Sequence, residues 1–243
     1  MTDAEGYSGN GAGASSADRV SDTYGRLRSL IVHGHIAPGS RIIETEVADR
    51  LAVSRTPVGA ALHRLVQEGL VEEEDRDGGR VRRRVSPLTS EDARELMYLL
   101  GSLESRAARR VAGFDEGRRR RIAAELRTLN GRLESEAKTD PPAPAPFFDI
   151  DADFHRAFIE PGGGPRLLKL HETCRPQAER YFRYYVVNQQ YSLDRSLEEH
   201  AGMIEAIRAG EPDVTEEVVQ RNWRNADERL QRAIERSGER GGW

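Results

Sequence analysis

The residues of this 243-residue chain whose types and spacing could do chemistry fall into two groups. Asp151 and His155 stand one helical turn apart, so both side chains leave the same face of a helix. His200 follows on a later segment, ahead of Met203, Ile204 and Ile207 at core spacing. One carboxylate and two imidazoles suit zinc, nickel and similar divalent ions. Histidines that find partners inside an apolar core would show the same pattern, and spacing leaves both readings open. The second group lies in residues 54–71. There Arg55, Thr56, Gly59, His63, Arg64 and Gln67 share one face of a helical period, where they can donate hydrogen bonds or allow close approach to a base edge.

The elements that must position these residues are legible around them. Val58, Ala61, Leu62, Leu65 and Val66 recur as one buried stripe of the helix that carries Arg55. Ser54 is its cap, Pro57 sits in its first turn and Gly69 stops it. A short helix over residues 45–51 precedes it through the tight link Ala52-Val53-Ser54, which is helix-turn-helix spacing. Taken alone, this is also the pattern of an ordinary amphipathic hairpin. Leu70-Val71-Glu72 and Val81-Arg82-Arg83-Arg84-Val85, around Asp75-Arg76-Asp77-Gly78-Gly79, add a strand-turn-strand signal and make the unit a winged helix. Arg80, Arg82, Arg83 and Arg84 could meet phosphates, or could form a charged edge strand protected from aggregation.

Residues 18–34 carry Val20, Tyr24, Leu27, Leu30 and Ile31 at helical spacing. Beyond Ser86-Pro87-Leu88, Thr89 caps a new helix with Asp92 at its third position. From there to Ser237 no strand signal occurs, and helices are expected over about 90–112, 115–137, 147–160, 165–190, 194–210 and 213–237. Residues 140–146 hold four prolines and are expected to cross the surface without helix. Phe147, Phe148, Ile150, Phe154, Phe158 and Ile159 are the expected core around Asp151 and His155. The expected fold class is therefore mainly α: an N-terminal winged helix-turn-helix with a small β-hairpin wing, then an all-α helical bundle. Residues 1–17 read as a disordered tail, 18–87 as the DNA-binding domain and 88–238 as the bundle.

Composition narrows the function classes. A formal net charge of −4 does not exclude nucleic acid, because binding needs only a local basic face. The single Cys174 excludes an internal disulfide and fits a reducing compartment. No apolar run approaches the ~20 residues of a membrane span, and the N-terminus lacks the basic start and apolar core of a signal peptide. The expected location is the cytoplasm.

Ile36-Ala37-Pro38-Gly39-Ser40-Arg41, Val47-Ala48-Asp49-Arg50-Leu51, Ser54-Arg55-Thr56-Pro57-Val58 and Glu68-Gly69-Leu70-Val71, in that order, resemble the winged-helix domain of the GntR family of bacterial transcription regulators. The resemblance implies operator contacts from Arg41, Ser54, Arg55, Thr56, His63, Arg64 and Arg80, with Arg55 at the family's first DNA-contacting arginine. Members usually carry a second arginine directly after the Pro-Val pair, where this chain has Gly59. Glycine in mid-helix costs roughly 1 kcal/mol relative to alanine, so the exchange is not neutral.

The all-α region resembles the FCD class, the fatty-acid-regulator-like effector domain. That resemblance implies that Asp151, His155 and His200 hold a divalent transition metal, zinc or nickel, beside an effector pocket. The fourth ligand position, usually histidine, falls at Asn222, a poorer ligand. Class members often place an arginine four residues before the glutamate of a Leu-Glu pair, where it meets the effector's carboxylate; here Leu103-Glu104 is present but the arginine position is Leu100. Glu104 is then expected at the effector site. Arg180, Arg183 and Tyr184 are candidate effector contacts on the helix that crosses the bundle, although Glu179 and Arg183 also fit a plain surface ion pair. His171 and Cys174 read as a packed helix face, and Tyr181, Tyr184, Tyr185 and Tyr191 as either a pocket wall or core.

The expected function is a ligand-responsive DNA-binding transcription regulator, a repressor released by a small-molecule effector. It would act as a homodimer, because one recognition helix covers only a half-site of double-stranded operator DNA. The alternatives are a DNA-binding regulator with a vestigial effector site and a helical metal-dependent enzyme. No nucleophile or general base stands at a telling spacing near Asp151, so the expectation is a protein that is not an enzyme and has no membrane partner.

Overall fold

The computed structural model describes residues 15–76, 80–138, 144–186 and 193–241. Of the tail expected over residues 1–17, residues 1–14 lie outside the described residues, as do the wing tip at 77–79, most of the proline segment and Tyr191, while Ser15 caps α1 and Ser16 and Ala17 begin it.

The head is built from α1 (Ser16–Val32), β1 (Arg41–Ile42), α2 (Glu44–Leu51), α3 (Arg55–Gln67), β2 (Val71–Arg76) and β3 (Arg80–Val85). The stripe on α3 supplies Val58, Ala61, Leu62 and Leu65, which pack with Leu27, Ile31, Leu70 and Val85 into one core. Ser54 caps α3 through its extended backbone, without a side-chain cap bond. Ala52 closes α2 in the left-handed region at φ 55°, which is how three residues turn the chain from α2 into α3. Gly69 follows α3 at φ 70°, and a Cβ there would also stand 2.9 Å from the Gln177 side chain.

The antiparallel sheet has the order β1-β3-β2, so the arginine-rich β3 is the middle strand and not the edge strand that its charge suggested. Its register places Glu73 opposite Arg83 and Glu72 opposite Arg84. Arg83 pairs with Glu73 at 2.7 Å and with Glu44 of α2, and Arg84 pairs with Glu72 at 2.9 Å. These pairs bind the wing to itself and occupy two of the four arginines considered for phosphate.

The bundle comprises α4 (Ser90–Ala112), α5 (Glu116–Ala137), α6 (Pro144–Gly162), α7 (Pro165–Tyr181), α8 (Leu193–Ala209) and α9 (Pro212–Ser237). A π-helical turn (Phe182–Val186) extends α7, so the single long helix expected there divides in two. Helix α6 begins at Pro144, inside the stretch expected to be irregular. Proline is tolerated in a first turn, where its missing N–H has no intrahelical partner. The six apolar residues expected as core on α6 are all buried. Thr89 caps α4 as expected, accepting the Asp92 N–H at 3.2 Å.

Helix α7 joins the bundle to the head. The buried Arg180 guanidinium donates to the Ser86 carbonyl, just after β3. Tyr181 donates to Asp92 at 2.6 Å and accepts the Thr89 N–H at 3.0 Å, holding the first turn of α4. An unanticipated bridge closes the junction: Leu88 and Arg240 exchange both backbone hydrogen bonds, at 2.8 and 3.0 Å. No helix among the described residues is long and apolar enough to cross a membrane.

Helices α4 and α6 touch backbone to backbone at Gly162, where a Cβ would stand 2.2 Å from the Ala107 carbonyl oxygen. Gly162→Ala is expected to destabilise the bundle by roughly 1–3 kcal/mol, as overpacking does. Chemical denaturation measures this; an unchanged midpoint would mean that the two helices separate at no cost.

Candidate functional site

On the head, Ser54, Arg55 and Thr56 are exposed at the start of α3, with His63 exposed two turns on. Gly59 is only half-exposed, and a Cβ there would meet nothing nearer than the Glu44 carboxylate at 3.9 Å. Arg64 does not share the reading face with Arg55. Its guanidinium lies 3.6 Å from the Tyr24 ring centroid, and its Nε donates to Glu68 at 3.1 Å. Tyr24 donates to the same carboxylate at 2.7 Å, so Arg64 braces α3 against α1. Arg41 is exposed on β1 opposite Arg84, and Arg80 starts β3 with a side chain outside what is described.

In the bundle, α6 presents Asp151 and His155 to His200 of α8, and one ligand atom from each lies within 4.8 Å of the others. Asp151 Oδ1 is 3.9 Å from His155 Nε2 and 3.7 Å from His200 Nε2. Behind His155 stands Glu104 of α4, fully buried. Its Oε2 receives His155 Nδ1 at 2.6 Å and Trp223 Nε1 at 2.9 Å, and its Oε1 receives His171 Nε2 at 2.8 Å. Arg175 of α7 donates to Asp151 Oδ2 at 2.7 Å. The cavity between these groups measures about 50 Å³ and is walled by Phe147, Phe148, Phe182 and Trp223. That is room for an ion and a water or two.

Both carboxylates of the site are held ionised. Burial alone would raise the carboxyl of Glu104, but His155 and His171 bring it well below the usual carboxylate range. Asp151 is likewise held low against its burial, by His155, Arg175 and His200. Burial pushes His200 down to about 3, reinforced by His155 and Arg175 and opposed by Asp151. His200 is therefore a neutral imidazole near pH 7, as a metal ligand must be. It stacks on Phe154 with centroids 4.0 Å apart, and its Nδ1 is buried without a partner. With Nε2 the nitrogen turned toward Asp151, a neutral imidazole, a second imidazole and an ionised carboxylate fit a divalent transition metal.

The other expected site residues are placed differently. Asn222 lines the same cavity, but its amide donates to Glu199 at 2.9 Å. Arg180, Arg183 and Tyr184 do not reach the cavity. Arg183 binds Glu179 at 2.6 Å and Asp149, Tyr184 accepts from Arg240 at 2.7 Å, and all three line a hollow at the head–bundle junction. The cavity's guanidinium groups are Arg175, earlier on the same helix, and Arg229 of α9, which donates to Glu199 at 2.9 Å; Leu100 is plain core. Sequence reasoning also missed the role of His171. The four-residue step from His171 to Arg175 was the available signal, since it puts both on one face of α7. Tyr181 and Tyr185 are buried core, stacked with centroids 6.4 Å apart.

Gly59 has space for a methyl group in a helical conformation. Gly59→Ala is expected to stabilise the head by about 0.5–1 kcal/mol through helix propensity. A thermal or denaturant midpoint that falls would show that the position needs glycine for its fold.

Two family models match the chain: the bacterial regulatory proteins, gntR family, over residues 19–81, and the FCD domain over residues 95–225, more than half its length. The chain is similar to the HTH-type transcriptional regulator YdhC of Bacillus subtilis (strain 168), 24% identical over 89% of this chain and 92% of the relative. It is 25% identical to the HTH-type transcriptional repressor RspR of Escherichia coli (strain K12), over 79% of this chain and 80% of the relative. Among solved structures, Escherichia coli McbR/YncC shares the fold with a TM-score of 0.71 at 18% identity, covering 88% of this chain and 97% of that one. A winged head of GntR pattern followed by an FCD-type bundle in one chain places it plainly: the protein belongs to the GntR family of bacterial transcription regulators, in the branch that carries an FCD domain.

Proposed function

We propose that this regulator is a metal-dependent, effector-responsive repressor that binds operator DNA as a homodimer. The observation that carries the reading is the meeting of Asp151, His155 and His200 with Arg175 at one cavity inside the bundle. Asp151, His155 and His200 would hold a divalent transition ion, which supplies a Lewis-acidic anchor for an oxygen of a small anionic effector. Arg175 stands where it can meet the remaining charge, in place of the arginine replaced by Leu100. The cavity lies between α6, α7, α8 and α9, so an effector in it would touch α7. Arg175 is on α7, and α7 holds the head through Arg180 and Ser86, so an effector that meets Arg175 would act on that helix. A repressor role accords with relatives that are named repressors. The cytoplasm is the compartment where such a protein meets its DNA, and regulation is its role in place of catalysis.

A second reading, a regulator with a vestigial site, is favoured by one observation: Asn222, the expected fourth ligand, is turned to Glu199. The two are separated by calorimetric titration of the metal-stripped protein with zinc and nickel, followed by gel shifts with and without metal. The first reading expects one equivalent bound by the wild type and none by an Asp151→Ala variant. Asn222→His is expected to bind more tightly, because Glu199 would then support the new imidazole as a carboxylate partner. No binding by either wild type or Asn222→His would leave the site vestigial.

On the head, Arg55→Ala is expected to cost about 1–3 kcal/mol of operator affinity while leaving the fold intact, since the side chain is exposed. A gel-shift titration at fixed salt measures it, and unchanged affinity would remove α3 as the reading helix.

A further inference from the structure

Glu104 is the most deeply committed polar group in the bundle. It is 0% exposed, and its two oxygens serve different helices. A carboxylate can only accept, so the imidazole nitrogens that face it must carry hydrogens. His155 therefore donates from Nδ1, and Nε2, turned toward Asp151, is the nitrogen that a metal would take. The other oxygen is held by His171 of α7, with Arg175 Nη1 at 3.9 Å beside it.

We propose that Glu104 is a positioning residue for the metal site: its Oε2 fixes the tautomer and ring angle of His155, and its Oε1 ties that orientation to helix α7 through His171. This rests on the reading of Asp151, His155 and His200 as metal ligands, and deepens it by making the site answer to the helix that grips the head. A carboxylate buried only for stability would serve as well beside any donor. This one stands directly behind a candidate ligand, on the nitrogen that does not face the ion. Trp223 fixes the same oxygen from α9, so Oε2 cannot turn away from His155 without losing a second hydrogen bond. His171 in turn lines a separate cleft with Arg28 of α1, so its surroundings include a residue of the head.

The test uses the full chain. In metal-free protein labelled at histidine nitrogens, long-range proton–nitrogen spectra should show His155 protonated at Nδ1, and Glu104→Gln should shift that tautomer. Zinc affinity, read by competition with a chromophoric chelator, should fall about ten- to hundredfold in Glu104→Gln, as loss of such partners does elsewhere. His171→Leu should weaken zinc by a smaller factor, and His171→Gln, which keeps an N–H donor, should restore it. Should Glu104→Gln fold poorly, Glu104→Asp keeps the charge one methylene short and should fall between the two. Wild-type zinc affinity in Glu104→Gln, or a His155 protonated at Nε2 in the wild type, would overturn the proposal. Wild-type affinity in His171→Leu would overturn its α7 half. Failure of the wild type to bind zinc would instead sink the metal reading, while the metal-free spectra would still judge the positioning.

Discussion

The bundle is organised around a charge that has no access to water. An ionised carboxylate in an apolar interior costs several kcal/mol unless each lone pair is answered. Glu104 is answered from three directions, by His155 of α6, His171 of α7 and Trp223 of α9. The spacing of α4 against those three helices is thus set by hydrogen-bond lengths as well as by the packing of Leu96, Phe154 and Phe158. Apolar packing tolerates small slides, whereas a shared carboxylate does not. The candidate metal ligands inherit that rigidity, since His155 is among the donors and Trp223 walls the cavity.

Helix α7 is an element that touches both the cavity and the head. Its middle contributes His171 and Arg175 to the buried network, and the π-turn after it contributes Phe182 to the cavity wall. Its last turn contributes Arg180 and Tyr181, which bind the chain between β3 and α4. One helix thus touches the site at one level and the linker at the next.

The winged head shows how many of its charges are already committed. Arg64 is held by Tyr24 and Glu68, and Arg83 and Arg84 by glutamates of the wing and of α2. These pairs explain how a chain of net charge −4 keeps a basic wing folded without mutual repulsion. Ser54, Arg55 and Thr56 at the start of α3 remain exposed, as do His63 and Arg41, and Gly59 adds no polar side chain beside them.

The winged helix was legible residue by residue, because its signals are local: a cap, a proline in the first turn, a stripe at helical period and a stop. The helical bundle and its core on α6 were legible for the same reason, as was the pairing of Asp151 with His155 across one turn. What the sequence could not carry was the direction of side chains on a helix that has neighbours on several sides. Arg175, Arg180 and Arg183 are equally plausible cavity residues by composition, yet they point to three places. The packing of α7 against α1, α4 and α6 decides which face each guanidinium meets. Arg64, nine residues after Arg55, stands half a turn round α3 from it, and there it meets the ring of Tyr24 on α1. Packing decides for β3 as well, because two strand residues at Arg41 and Ile42 turn an apparent edge into the middle of a sheet. Local pattern determined which elements form and which faces are buried. Contacts between elements far apart in sequence decided which charged groups serve the site and which serve the fold, because a charge settles by its nearest partner in space, and that partner is set only when the helices have packed.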